Sequence, residues 1–244
     1  MSERTDGRSD DQLREVSFKA GFQSHPAGSV LVTFGGTRVI CSASVDESVP
    51  RWMAAKNEPG GWITAEYQML PGSTHTRVRR EREKISGRSS EIQRLVGRSL
   101  RAAVDLTKLP GLTITVDCDV LDADGGTRCA SITGGCVALE IALQKLFTEG
   151  RLKEWPLLTR VAAVSVGVLE GRSILDLCYE EDSAAEVDMN VVMTGTGEFV
   201  EVQGTAEDRS FSRSQLDAML DLAQGGLTNI FALQKAAVIA AAEC

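Results

Sequence analysis

The stretch Asp124-Gly125-Gly126-Thr127-Arg128-Cys129-Ala130-Ser131-Ile132-Thr133-Gly134-Gly135 decides how the chain is read. A β-type run, residues 112–121, leads into it, and an apolar helix-type run, residues 135–147, leaves it. Its glycines sit where the backbone must turn, since glycine reaches positive φ without steric cost. Thr127, Ser131 and Thr133 are side chains able to cap a helix start. Arg128 adds a permanent charge and a planar fork of donors. Open N–H groups, a helix dipole and a guanidinium together suit an anion, phosphate above all. By itself the stretch also reads as a plain strand-to-helix turn, so the rest of the chain has to separate the two readings.

Composition narrows the choice. A chain of 244 residues, 43% hydrophobic and 25% charged, has ordinary globular composition. It can bury roughly 70% of its unfolded surface and needs no disulfide or metal to fold. The six cysteines (41, 118, 129, 136, 178, 244) form no C-x-x-C pair and lie mostly in apolar runs, the pattern of reduced thiols in a cytoplasmic protein. No uninterrupted apolar run reaches the ~20 residues of a membrane span, and the charged residues 1–11 have no signal core. Net charge is −8, which excludes indiscriminate nucleic-acid binding by the whole surface. Against that background Arg77, Arg79, Arg80, Arg82, Lys84 and Arg88, set against Glu81 and Glu83, form a local excess of +4. Charge of that density steers polyanions locally. The run lacks aromatics, so it reads as a backbone-phosphate contact or a solvated loop, not a base-stacking platform.

Taken in order, residues 1–12 are polar and expected to fray. Strands are expected within 13–22, at 29–34 and 37–45 around a Gly35-Gly36 hairpin, at 62–70 and at 112–121. Residues 46–61 read as a long loop. A helix is expected over 89–106, with Ile92, Leu95, Val96 and Leu100 on one face and Ser89 or Ser90 as cap. Apolar residues fill nearly the whole circumference of 135–147, which predicts a buried helix. Strands follow at 161–169, 174–179, 187–193 and 199–203, with an acidic loop at 180–186. A last helix over 212–242 is expected to break or kink at Gly225-Gly226. This order predicts a single α+β domain, mixed sheets with packed helices.

Most catalytic templates are absent. There is no H-E-x-x-H, no zinc spacing and no Walker lysine. The two histidines, His25 and His75, lie near no nucleophile elbow. The carboxylates offer more. Asp182 and Asp188 flank the entry to a strand, and carboxylates converging there would suit Mg²⁺ or Mn²⁺; a solvated acidic loop is the plainer reading. Asp122 and Asp124 fit hydrogen bonding in a turn. Arg88, just ahead of a helix start, could join a phosphate site as a bidentate donor.

The chain resembles the ribonuclease PH family of phosphate-dependent 3′→5′ exoribonucleases. The resemblance rests on Gly28-Ser-Val-Leu-Val, Gly61-Trp-Ile-Thr-Ala-Glu-Tyr, Ser73-Thr-His-Thr-Arg77, Glu91-Ile-Gln-Arg-Leu95, Asp117-Cys-Asp-Val-Leu121, Ala123-Asp-Gly-Gly-Thr-Arg128, Glu181-Asp-Ser-Ala-Ala185, Asp188-Met-Asn-Val-Val192 and Glu201-Val-Gln-Gly-Thr-Ala206. It implies a ribonuclease PH-type fold and release of nucleoside diphosphates from tRNA precursors with inorganic phosphate as co-substrate. It further implies phosphate binding by Arg88, Gly126, Thr127 and Arg128, and catalysis by Asp182 and Asp188 as ligands of a divalent metal, Mg²⁺ by expectation. Contact of tRNA by Arg77, Arg79, Arg80 and Arg82, and a cytoplasmic homohexamer built as a trimer of dimers, complete the expectation. Gly72 departs from the family pattern, which often has arginine there. The rival from another class is a non-catalytic RNA-binding ring subunit of an exosome-like assembly; the Asp182/Asp188 pair and Arg88 argue against it.

Overall fold

The computed structural model describes residues 4–56, 58–82, 84–207 and 209–243. Of the features named above, residues 1–3, Glu83 and Cys244 lie outside the described residues.

Alternating apolar positions build the first sheet. Strands β1 (Val16–Ala20), β2 (Gly28–Phe34), β3 (Thr37–Asp46), β4 (Trp62–Met69) and β5 (Thr113–Asp122) assemble in the order β1-β2-β3-β5-β4. All neighbours are antiparallel except β4 and β5, which run parallel and pair Glu66 with Asp117. The register sends Val116, Cys118 and Val120 inward, and Asp117 and Asp119 toward the other face. A second, antiparallel sheet has the order β7-β6-β8-β9, from β6 (Val161–Leu169), β7 (Arg172–Leu175), β8 (Val187–Thr194) and β9 (Phe199–Ala206).

Between the sheets runs α3 (Thr127–Thr148), which packs on β2 and β3 on one side and β6 on the other. Its apolar circumference buries almost every side chain from Thr127 to Leu146, each large one contributing about 1.5–3 kcal/mol. The helix starts eight residues earlier than the sequence reading placed it. Gly134 and Gly135 are packing positions inside the helix, not its turn. A Cβ at Gly134 would fall 2.5 Å from Val32 Cγ1 and 2.9 Å from Cys41 Sγ. Thr127 and Arg128 are therefore first-turn residues, and Gly126, at φ 64, takes the cap position without any side-chain cap.

Other expectations also change. Helix α2 (Gly87–Ala102) begins before Ser89, because the Ser86 hydroxyl accepts the Ser89 N–H and takes the cap. The 46–61 loop contains a short helix, α1 (Arg51–Lys56). The acidic segment after β7 is helical, α4 (Tyr179–Ala184). The last helix, α5 (Arg213–Ala242), runs through Gly225-Gly226 without a break, and Gly226 lets Leu175 approach it closely. Helices α3 and α5 are long and apolar enough to cross a membrane by length and composition, contrary to the expectation above. Their polar residues are interspersed, which hid them from a search for unbroken apolar runs. The apolar window of α3 is 78% buried inside the protein, as expected of a core helix. Residues 4–12 do not fray, since Arg4 is buried and the Asp10 carbonyl accepts the Leu175 N–H. The five described cysteines are free thiols, all buried.

Candidate active site

The N-terminus of α3 faces a cavity of about 490 Å³. First-turn N–H groups have no intrahelical acceptors, and no side chain at Gly126 covers them. The Tyr67 phenol and Thr127 Oγ1 are 2.9 Å apart, which fixes the Thr127 hydroxyl at the cavity wall. Arg128 donates from Nη1 to Gln203 Oε1 at 2.6 Å, and that nitrogen lies 3.5 Å from Glu91 Oε1. These contacts anchor the guanidinium against β9 and α2, and its remaining N–H groups have no hydrogen-bond partner among the described residues. Arg88 reaches the same cavity from the first turn of α2. It has no hydrogen bond or ion pair with any described residue, so its fork of donors is open to a ligand.

Asp182, from α4, and Asp188, from the start of β8, form another part of its wall. Burial raises Asp182 above the usual carboxylate range although Arg88, Arg128 and Arg14 pull the other way. Burial, reinforced by the Asp182 charge, lifts Asp188 to about 6. Asp188 Oδ1 is buried without a hydrogen-bond partner among the described residues. Two carboxylates share this cavity, and no group of three or more His, Cys, Asp or Glu side chains gathers as a metal set among the described residues. Two carboxylates with an unsatisfied oxygen fit a hard ion that keeps waters and substrate oxygens as its other ligands.

The structure thus brings Arg88, Gly126, Thr127, Arg128, Asp182 and Asp188 to one cavity. Arg77, Arg79, Arg80 and Arg82 are exposed on the segment between β4 and α2; Thr74, His75, Thr76 and Val78 of the same segment line the cavity. Asp122 and Asp124 are structural, Asp122 pairing with Arg38 and Asp124 Oδ1 accepting the Tyr179 N–H at 3.1 Å. Asp117 and Asp119 line a different cavity with Glu66. The sequence reading passed over Tyr179, Ser165 and Asn190 in the wall, and Tyr67 behind Thr127. Tyr67 lies in the quoted Gly61–Tyr67 motif, and Tyr179 sits one turn ahead of Asp182, signals that spacing could have supplied.

Comparison with known proteins identifies the family. Residues 12–143 match the 3′ exoribonuclease family, domain 1, and residues 159–226 match domain 2 of that family. The chain is 58% identical over 242 residues to Ribonuclease PH of Nocardia farcinica (strain IFM 10152), covering 98% of this chain and 93% of the relative. It is 58% identical over 241 residues to Ribonuclease PH of Mycolicibacterium smegmatis (strain ATCC 700084 / mc(2)155), covering 98% and 92%. In fold it is similar to the crystal structure of rice (Oryza sativa) Rrp46, with a TM-score of 0.79 at 21% identity over 97% of this chain and 100% of that one. It is also similar to a chain of the Archaeoglobus fulgidus exosome with RNA bound to the active site, with a TM-score of 0.76 at 23% identity over 93% and 91%. Near-full-length identity of 58% to two ribonucleases PH disfavours the non-catalytic ring subunit. The chain belongs to the 3′ exoribonuclease family, as a phosphorolytic exoribonuclease of the ribonuclease PH type.

Proposed function

We propose that this cavity holds inorganic phosphate on Arg88, Gly126, Thr127 and Arg128, and the 3′-terminal phosphodiester of an RNA between that phosphate and Asp182 and Asp188. The observation that carries the reading is the convergence of two guanidiniums, an uncapped helix N-terminus and two desolvated carboxylates on one cavity. In phosphorolysis a phosphate oxygen attacks the terminal phosphorus. The bond from phosphorus to the 3′ oxygen of the preceding nucleotide breaks, and the electron pair leaves on that oxygen. The products are a nucleoside 5′-diphosphate and an RNA one nucleotide shorter.

No side chain serves as nucleophile. The protein's task is to bring two anions together in line and offset their charge. Arg88, unpartnered, meets the phosphate as a fork. Arg128, held by Gln203, presents a fixed charge. The Tyr67 contact turns Thr127 so that its hydroxyl and the first-turn N–H groups meet one anion. Asp182 and Asp188 would hold a divalent ion, Mg²⁺ by the oxygen chemistry of the pair. Such an ion supplies charge stabilisation at the leaving oxygen. A carboxyl group lifted to about 6, as in Asp188, is also suited to delivering a proton there. Chelation separates the roles: loss of turnover on removing divalent ions supports the metal, and undiminished turnover supports the proton donor.

The exposed Arg77, Arg79, Arg80 and Arg82 beside the cavity mouth support contact with the backbone of tRNA precursors. The apolar side chains Phe199 and Val202, exposed on edge strand β9, support assembly into the expected homohexamer, a trimer of dimers. Five buried free thiols support a reducing, cytoplasmic setting. The test is to incubate the protein with tRNA carrying extra 3′ nucleotides, with and without phosphate. Phosphate-dependent release of diphosphates is expected; release of monophosphates without phosphate overturns the reading. Sedimentation as a monomer at working concentration overturns the hexamer.

A further inference from the structure

Three arginines ahead of β1 brace the two walls of the cavity from behind. Arg14 is buried, and three of its donors meet the Asp176 carboxylate: Nη2 on Oδ1 at 2.7 Å, Nε on Oδ2 at 3.1 Å and the backbone N–H on Oδ2 at 2.9 Å. Arg14 Nη1 donates to the Asp124 carbonyl, directly ahead of Gly125-Gly126. Arg4, also buried, places Nε and Nη2 on the two oxygens of Glu181, each at 2.7 Å, and donates to the Leu175 and Asp176 carbonyls at 2.8 and 3.0 Å. Arg8 donates to the Asp176 carbonyl at 2.9 Å and to Glu181 Oε2 at 3.3 Å.

The acceptors are the hinge points of the site. Glu181 is the residue before Asp182. Asp176 is where β7 turns toward α4, and it does so at φ 55, a left-handed conformation that a non-glycine residue keeps only where its surroundings hold it. The far side of the turn is equally close. A Cβ on Gly125 would lie 2.5 Å from the Leu177 carbonyl oxygen and 3.0 Å from the Tyr179 nitrogen. The anion-binding turn and the start of α4 are thus in backbone contact, and Arg14 bonds to both sides of that contact. None of the three arginines lines the cavity itself.

We propose that Arg14, supported by Arg4 and Asp176, is a positioning residue for phosphorolysis: it sets the separation between the anion-binding turn at 125–128 and Asp182. The inference rests on the assignment of that turn to phosphate and of Asp182 to the reacting bond. An ion pair serving only stability would alter how much enzyme folds, not the constants of the folded enzyme. A positioning pair changes the constants, because misplacement by about 1 Å costs on the order of 10²-fold in rate.

The experiment measures initial rates against phosphate concentration for the parent, Arg14→Lys, Asp176→Asn and Arg128→Ala, normalised to folded protein. Arg14→Lys and Asp176→Asn are expected to raise the KM for phosphate by about tenfold and to lower kcat by about tenfold or more. Arg14→Ala with added guanidinium chloride is expected to regain a lower phosphate KM, as the free ion refills the brace. Asparagine tolerates the left-handed conformation, so Asp176→Asn carries the test if Arg14→Lys fails to fold. Folded Asp176→Asn or Arg14→Lys enzyme with both constants within twofold of the parent overturns the inference, while a raised KM in Arg128→Ala keeps the site assignment standing. An unchanged phosphate KM in Arg128→Ala overturns that assignment and this inference with it.

Discussion

The Tyr67 phenol oxygen lies 2.9 Å from Thr127 Oγ1, joining the inner face of β4 to the first turn of α3. Burial raises the phenol above its ordinary range, so it stays protonated and can donate. The Thr127 hydroxyl then has its own proton to offer an anion. Tyr67→Phe removes only the oxygen. The expected outcome is a phosphate KM raised about three- to tenfold and a stability loss of about 1 kcal/mol, as for one buried hydrogen bond. Steady-state kinetics in phosphate and a thermal melt check both.

In Asp188 the proposed catalytic role coincides with a cost in stability. Its Oδ1 is buried without a partner among the described residues, and burial beside Asp182 lifts its titration to about 6. A folded-state value above the unfolded one means that the ionised carboxylate works against folding above about pH 6. Asp188→Asn is therefore expected to lower kcat by about 10²-fold or more while leaving Tm unchanged or higher. A large fall in Tm together with retained turnover would contradict this account.

What the sequence made legible follows a physical rule: local periodicity speaks, and distant pairing does not. The alternation along β5 announced its inward and outward faces, and the apolar circumference of α3 announced a central helix. The start of α3 was misread because Gly134-Gly135 looks like a turn until Val32 and Cys41 are seen pressed against it. Helix α4 hid inside an acidic run, and what holds its Glu181 is Arg4, 177 positions away. Arg14 and Asp176 stand 162 apart. Polar residues at the head of the chain look alike whether solvated or buried, and only their partners distinguish them. The candidate site residues were legible as a set through the family motifs; their arrangement around one cavity was not.

The outer face of the first sheet supplies a pH test away from the cavity. Asp117 is half-buried, with Glu66 and Asp119 as like-charged neighbours, and titrates at about 6. Its unfolded-state value is about 3.9. The ionised group therefore opposes folding above about pH 6, and that penalty fades as pH falls toward about 4. Asp117→Asn is expected to raise Tm by a few degrees at about pH 7.5 and to match the parent near about pH 4. Thermal melts across that range check it; an equal shift at both ends would point to packing instead of charge.

Gly125 and Gly126 separate backbone conformation from backbone contact. Both lie in the left-handed region, at φ 74 and φ 64, so alanine at either costs about 1–2 kcal/mol from conformation alone. Their surroundings differ. A Cβ on Gly126 meets Arg14 Nη2 at 3.2 Å, a contact relieved by a shift of a few tenths of an ångström that still leaves that nitrogen bonded to Asp176. A Cβ on Gly125 meets the Leu177 carbonyl oxygen at 2.5 Å and the Cys178 carbonyl carbon at 2.8 Å, backbone atoms that move only with the start of α4. Gly126→Ala is thus expected to lose about 1–2 kcal/mol and to raise phosphate KM by a few-fold with kcat nearly kept. Gly125→Ala is expected to lose more stability and to depress kcat as well, because the turn can make room only by shifting the segment that carries Asp182. Denaturant titration beside phosphate-dependent kinetics measures both variants; equal kinetic effects would show that the contact between the turn and α4 does not govern the reaction.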